Sequence, residues 1–217
     1  PDALHVGQDG NLYVSTSCLP HCQRGHNWSA IVRMDKRGQH RQTYISSRRN
    51  PLARPYDFQP LPHSIDPNLP ARTSTGDIDE NYADMAASAS VNDPDPGPGS
   101  GNDVLVCSYL TDQLLRYNAS GGFVDVFAQS TGEVHGVNGP VSMTYDVRWP
   151  NALFVTVEGS LRGDFSRNLS TALLQFELRT RQFLVLFQRP QPSSLADLAF
   201  GPRDGLLYVS DWTQNVI

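Results

Sequence analysis

One short segment concentrates the residues able to do metal or redox chemistry: Cys18, His21, Cys22 and His26. Thiolate and imidazole are zinc ligands, so a site built from all four has to be weighed. Its spacing is poor, because a zinc knuckle separates its paired ligands by about two to four residues and here two knuckles would overlap. A local disulfide between Cys18 and Cys22 is the better reading, worth about 2 kcal/mol for so short a loop in the chain-entropy picture. The remaining cysteine, Cys107, sits inside VLVCSY and reads as a buried thiol acting as a small hydrophobe. No metal or cofactor is expected.

Acidic clusters offer oxygen chemistry. Asp77, Asp79, Glu80 and Asp84, then Asp93, Asp95 and Asp103, could ligate calcium, but neither group has the spacing of a helix-loop-helix calcium loop, so both read as solvated acidic loops. The stretch from Arg33 to Arg54 places seven basic residues against Asp35 and could dock an acidic partner, although part of it lies on a strand where arginine points to solvent. Asn27-Trp-Ser, Asn118-Ala-Ser and Asn168-Leu-Ser are N-glycosylation acceptors, and all three fall in expected turns or loops. Beside a loop disulfide they point to a secreted or cell-surface protein carrying N-linked glycans.

Composition narrows the partners. The chain has 217 residues, 39% of them hydrophobic, which is enough for a real core, and a formal net charge of −5. That charge argues against a general nucleic-acid binder. No apolar run approaches membrane-spanning length, so no membrane insertion is expected. Basic charge is almost all arginine, Lys36 being the only lysine, a bias that genome composition explains as readily as phosphate recognition does.

The elements that must position these residues are strands. Four strand cores align: NLYVST, VLVCSY, ALFVTV and LLYVSD, with leucine anchors at 12, 105, 153 and 207. Each core has a short strand ahead of it (ALHV, DMAASASV, PVSMTYD, SLADLAF) and two more behind it, such as QLLRYN and FVDVFA. Runs such as VLVCSY and FLVLF are apolar on both faces, as a sheet buried between two other sheets requires. Four-stranded antiparallel sheets stacked radially are propeller blades, so the fold class is an all-β propeller with about three and a half blades in this chain. The expected blades run over about 4–46, 83–128, 140–188 and 195–217, with 47–82 an extended, proline-rich insertion between the first two.

GQDGNLYVS, GPRDGLLYVSDWTQNVI, DQLLRYNASGGFVDVFA and GVNGPVSMTYD resemble the blades of NHL-type β-propellers. The resemblance implies the fold and leaves function open, since such propellers serve as enzymes, receptors and scaffolds. The expanded connections Ser17 to Ser29, Ser46 to Tyr82 and Glu158 to Thr171 are expected to decorate one side of the disc. An incomplete propeller exposes apolar sheet faces. The expected partners are therefore protein: the remainder of its own propeller and neighbouring subunits or domains, with Trp28, Tyr56 and Phe165 among the contact residues.

Two functions follow. The first is a non-catalytic extracellular propeller, a binding or structural module in a surface or filamentous assembly. The second is a secreted propeller enzyme, a metal-dependent hydrolase or lyase with its site in the central channel. On the expected inner strands only His5, Asp146 and Asp197 could serve such a site, and His135 could face the channel mouth. No catalytic residue is assigned.

Overall fold

A computed structural model describes residues 3–7, 10–16, 29–39, 41–47, 51–61, 103–130, 136–146, 148–159, 170–190 and 193–217. Its strands are β1 (Leu4–Val6), β2 (Leu12–Thr16), β3 (Ala30–Met34), β4 (Gln42–Ser46), β5 (Pro55–Pro60), β6 (Val104–Ser108), β7 (Gln113–Tyr117), β8 (Phe123–Gln129), β9 (Pro140–Tyr145), β10 (Ala152–Val157), β11 (Thr171–Glu177), β12 (Phe183–Arg189), β13 (Leu195–Phe200) and β14 (Leu207–Asp211). They pair antiparallel in chain order as β1-β2-β3-β4, β5-β6-β7-β8, β9-β10-β11-β12 and β13-β14. These sheets are blades one to four. Among the described residues the single helical feature is the short 3-10 turn Tyr109–Thr111.

The blades stack face to face, and their first strands meet one another: β5 packs on β9, and β9 on β13. Strand β6 shows why its sequence is apolar throughout. Val104 and Val106 join Phe58 and Tyr117 against Tyr13, Ile31 and Ile45 of blade one. Leu105 and Cys107 point the other way, into a second core with Met143, Leu153, Val155 and Phe176 of blade three. Every residue of β6 is buried as a result. FLVLF, expected to be buried in the same way, is not: Leu184, Leu186 and Phe187 are 67%, 47% and 43% exposed. This run forms β12, the last strand of blade three, and the two strands of blade four cover only the inner part of that blade.

Three of the four anchor leucines, Leu12, Leu153 and Leu207, take equivalent places, but Leu105 does not: it faces the following blade whereas Leu153 and Leu207 face the preceding one, and Val104 holds the equivalent place in blade two. Three residues beyond each of the four leucines stands a hydroxyl: Ser15, Ser108, Thr156 and Ser210. Each accepts a backbone N–H from the first strand or the segment entering it, namely Ala3 at 2.7 Å, Ala53 at 2.9 Å, Ser142 at 3.2 Å and Asp197 at 3.1 Å. Each also donates to the carbonyl of the same residue. In blades two, three and four the ladder between the first and second strands changes register near this point. The hydroxyl supplies an acceptor for a backbone N–H of the first strand or its entry beside the ladder.

Blade two departs from the expected boundaries. Its first strand is Pro55–Pro60, inside the stretch assigned to an inter-blade insertion, and it pairs Phe58 with Val106, Gln59 with Leu105 and Pro60 with Val104. Prolines at both ends are tolerated because this is an edge strand of its sheet. Phe58 supplies the apolar side chain that the core with blade one needs. DMAASASV, expected in that place, lies outside the described residues. The long connection therefore joins the first and second strands of blade two, and Leu61 N–H closes on Asp103 O at 2.8 Å where it leaves and returns. That end of an antiparallel sheet is opposite the end where second strands lead to third strands. The three expanded connections thus do not share one side of the disc.

Thr156, fully buried, tests the hydroxyl rule. Replacing it with the isosteric valine strips both backbone partners of Ser142 and is expected to lower stability by about 2 kcal/mol in urea denaturation. Ser210→Ala, at the solvent-facing edge, should cost less than half as much.

Candidate functional site on the inner strands

The corrected register brings equivalent positions of three adjacent first strands together: Asp57 of β5, Ser142 of β9 and Asp197 of β13. In each case the following residue is apolar and points into an inter-blade core, as Phe58, Met143 and Leu198 do. The preceding side chains consequently line the inner edge of the blades. Ser142 Oγ lies 3.1 Å from Asp57 Oδ2 and 2.8 Å from Asp197 Oδ1. Asp57 Oδ2 also accepts the Met143 N–H at 2.8 Å, and each aspartate accepts the N–H of the residue after it.

One hydroxyl proton cannot serve two carboxylates. The arrangement closes when Asp57 is protonated, donating to Ser142 Oγ while Ser142 donates to Asp197. Burial pushes the Asp57 carboxyl up from 3.8 to about 6, and the Asp197 charge adds to the rise against the lowering effect of its hydrogen bonds. The site can therefore hold one proton between the two carboxylates below about pH 6.

Of the residues singled out in the sequence, Asp197 belongs to this group and is exposed. His5 instead packs its ring edge-on against Phe58, centroids 5.9 Å apart, in the seam between blades one and two. Asp146 serves a structural clasp: Arg148 Nε donates to both its oxygens, at 2.8 and 3.0 Å, and an Nη of the same guanidinium donates to Gly205 O at 2.9 Å in blade four. The Arg148 hydrogen bond holds the Asp146 carboxyl below the usual range. Asp103 pairs with Arg116 at 3.3 Å, which also faces Asp125. Among the described residues no three His, Cys, Asp or Glu side chains converge. Cys18, Cys22, His21, His26, His135, Asn27, Asn168, Trp28, Phe165 and the acidic residues at 77–95 lie outside the described residues. Cys107 is a free, buried thiol whose burial pushes its ionisation up.

Asn118 opens the turn between β7 and β8 and is exposed. Its Oδ1 accepts from Ser120 N–H, Ser120 Oγ and Gly122 N–H at 3.0, 2.7 and 2.8 Å, which occupies the oxygen. Gly121 in this turn has φ +81°, and a Cβ there would lie 2.0 Å from the Tyr44 carbonyl oxygen, so only glycine fits.

Asp57 was missed in the sequence because its strand was placed in an insertion. The signal was present: Tyr56-Asp57-Phe58 matches Ala196-Asp197-Leu198, an aspartate before a core residue.

Because the folded-state value of Asp57 lies above 3.8, folding favours its protonated form. Its contribution is fully present below about pH 4 and is lost as pH rises through about 6, the ionised form costing the fold about 3 kcal/mol at neutral pH. Moving from pH 7.5 to pH 5 should therefore stabilise the parent by about 1 kcal/mol relative to Asp57→Asn, measured as a double difference in urea midpoints. Equal pH responses would show that Asp57 does not titrate in this window.

No family model matches the chain, and no curated protein does. A solved structure is similar: a chain of the crystal structure of a nidogen/laminin complex, with a TM-score of 0.56 and 13% sequence identity over 96% of this chain. The present chain spans 55% of that chain's length. At this identity the likeness speaks to architecture, and together with the radially stacked sheets it makes the fold of this chain that of a partial β-propeller.

Proposed function

We propose that this chain is part of a non-catalytic, extracellular β-propeller of NHL type whose role is to bind protein, in a surface or filamentous assembly. The observation that carries the reading is the outer face of blade one. The pairings Leu4 with Val14 with Val32, and Val6 with Leu12 with Met34, set six apolar side chains side by side on one sheet face. Leu4 and Val6 are 66% and 63% exposed. Covering each is worth about 1 to 2 kcal/mol, and a face this uniform is built to be covered by another sheet. The occupant is a further blade of the same propeller, and the far side of the disc is then free for neighbouring protein. The similar solved structure is itself a complex between proteins.

N-linked glycans on Asn27, Asn118 and Asn168, and a Cys18 to Cys22 disulfide, complete the extracellular reading. The exposure of Asn118 at the opening of its turn supports acceptance of a glycan there. A second reading, a secreted propeller hydrolase or lyase, draws support from the Asp57–Ser142–Asp197 group. It predicts that Asp57→Asn abolishes a measurable turnover, whereas the binding reading predicts no effect on assembly from that change.

Two measurements test the proposal. A photoreactive benzoylphenylalanine at position 6 of the secreted full-length protein should crosslink to protein within the same chain. A crosslink only to solvent or lipid would overturn the cover. Peptide mapping after glycosidase treatment of secreted material should find the Asn118 peptide converted to aspartate, and an unmodified peptide would remove the support for a secretory route.

A further inference from the structure

Arg54 lies at the entry to β5, the last residue of the basic stretch that runs from Arg33. Its φ is +52°, a left-handed conformation that costs a side-chain-bearing residue stability and that glycine would adopt freely. The fold holds it there from both sides. Arg54 N–H donates to Ser29 Oγ at 2.9 Å in blade one, and its carbonyl accepts Tyr109 N–H at 3.2 Å in blade two. The consequence is the position of the guanidinium, 4.6 Å from the Tyr56 ring centroid and 5.1 Å from that of Tyr109. The two rings stand edge to face with each other, 4.8 Å apart.

This cation lacks what a half-buried arginine normally has. Its Nε is buried without a hydrogen-bond partner, and among the described residues no carboxylate pairs with it. Glu158, which accepts from Tyr109 Oη, also accepts from Ser194 Oγ at 3.1 Å. Aromatic stacking accounts for the charge only in part, since the fork of N–H donors still requires acceptors. A strained backbone, two aromatic walls and a buried Nε–H without an acceptor together describe a receptor for an anion.

We infer that Arg54, walled by Tyr56 and Tyr109, receives a single carboxylate from an acidic segment of a protein partner docking at the seam between blades one and two. The choice of a protein occupant rests on the binding reading above. The choice of one carboxylate rests on charge. A polyanion such as a sulfated or phosphorylated polymer needs several cations, and this chain is net negative with Glu158 close by. One acidic side chain meets one guanidinium between two rings without that penalty.

The test uses the 15N-labelled chain and two probes, an acetylated, amidated triglutamate peptide and inorganic sulfate. The peptide should shift the Arg54 Nε–H resonance and the Tyr56 and Tyr109 ring signals saturably, and Arg54→Gln should weaken that binding at least tenfold. Arg54→Gly separates receptor from strut: it should lose the peptide to the same extent while melting no lower than the parent, because glycine relieves the strained φ. A lower melting temperature for Arg54→Gly would show that the residue is there for packing and would overturn the proposal. Absence of a saturable peptide shift, or sulfate binding as tightly as peptide, would overturn it as well. These outcomes are independent of the crosslink at position 6, so the binding reading can survive the loss of this site.

Discussion

Apolar sheet faces packed against one another are the interaction on which the whole structure depends. Each blade is a thin sheet with no core of its own, and it becomes stable only where a neighbour covers it. Blade two is covered on both sides, by Tyr13 and Ile31 from one direction and by Leu153 and Phe176 from the other. That double burial dictates the continuous apolar runs in its central strands. It also explains why the strands of highest exposure, β1 and β12, are those whose outer faces meet no other sheet among the described residues.

Polar groups enter this scheme where the first strand of a blade turns its inner edge away from the sheet. The hydroxyls at Ser15, Ser108, Thr156 and Ser210 supply acceptors beside that edge. One residue of the first strand then faces inward, and in three consecutive blades those residues are Asp57, Ser142 and Asp197. A hydroxyl shared by two acids links the three blades at their inner edge, beside polar ties further out such as Arg181 to Asp125 and Arg148 to Gly205. The raised pKa of Asp57 follows from the same packing that makes the blade stack stable, since protein crowds the carboxyl and the Asp197 charge stands across the shared hydroxyl.

The repeat was legible because an apolar second strand with a hydroxyl near its end recurs whatever the length of the loops, although matching the leucines set blade two one residue out of register, with Leu105 where Tyr13 and Phe154 stand in blades one and three. QLLRYN and FVDVFA could be read as strands because turn residues bound them closely, as in Asn118 to Gly122. The first strand of blade two was not legible by those means. Pro55 and Pro60 flank it, which reads as extended connection, and a segment covering 62–102 separates it from the strand it pairs with. No local pattern reports a pairing across that distance, so DMAASASV stood in its place and Asp57 went unseen. The Asp-then-apolar match between Tyr56-Asp57-Phe58 and Ala196-Asp197-Leu198 carried the information. Recognising it required aligning first strands with one another before deciding where the insertion lay. Arg54 was visible only as one of seven basic residues, because its left-handed backbone and two tyrosine walls are properties of the folded seam.

The central claim is that blades are stabilised by being covered on both faces and that the outer face of blade one awaits cover. Amide hydrogen exchange of the chain, resolved by strand, tests it most directly. The account predicts slowest exchange in β6, β7 and β10, and exchange at least tenfold faster in β2 and β3 despite their complete hydrogen-bonded ladders. Protection in β2 and β3 equal to that in β6 would contradict it, because backbone pairing alone would then be holding each blade.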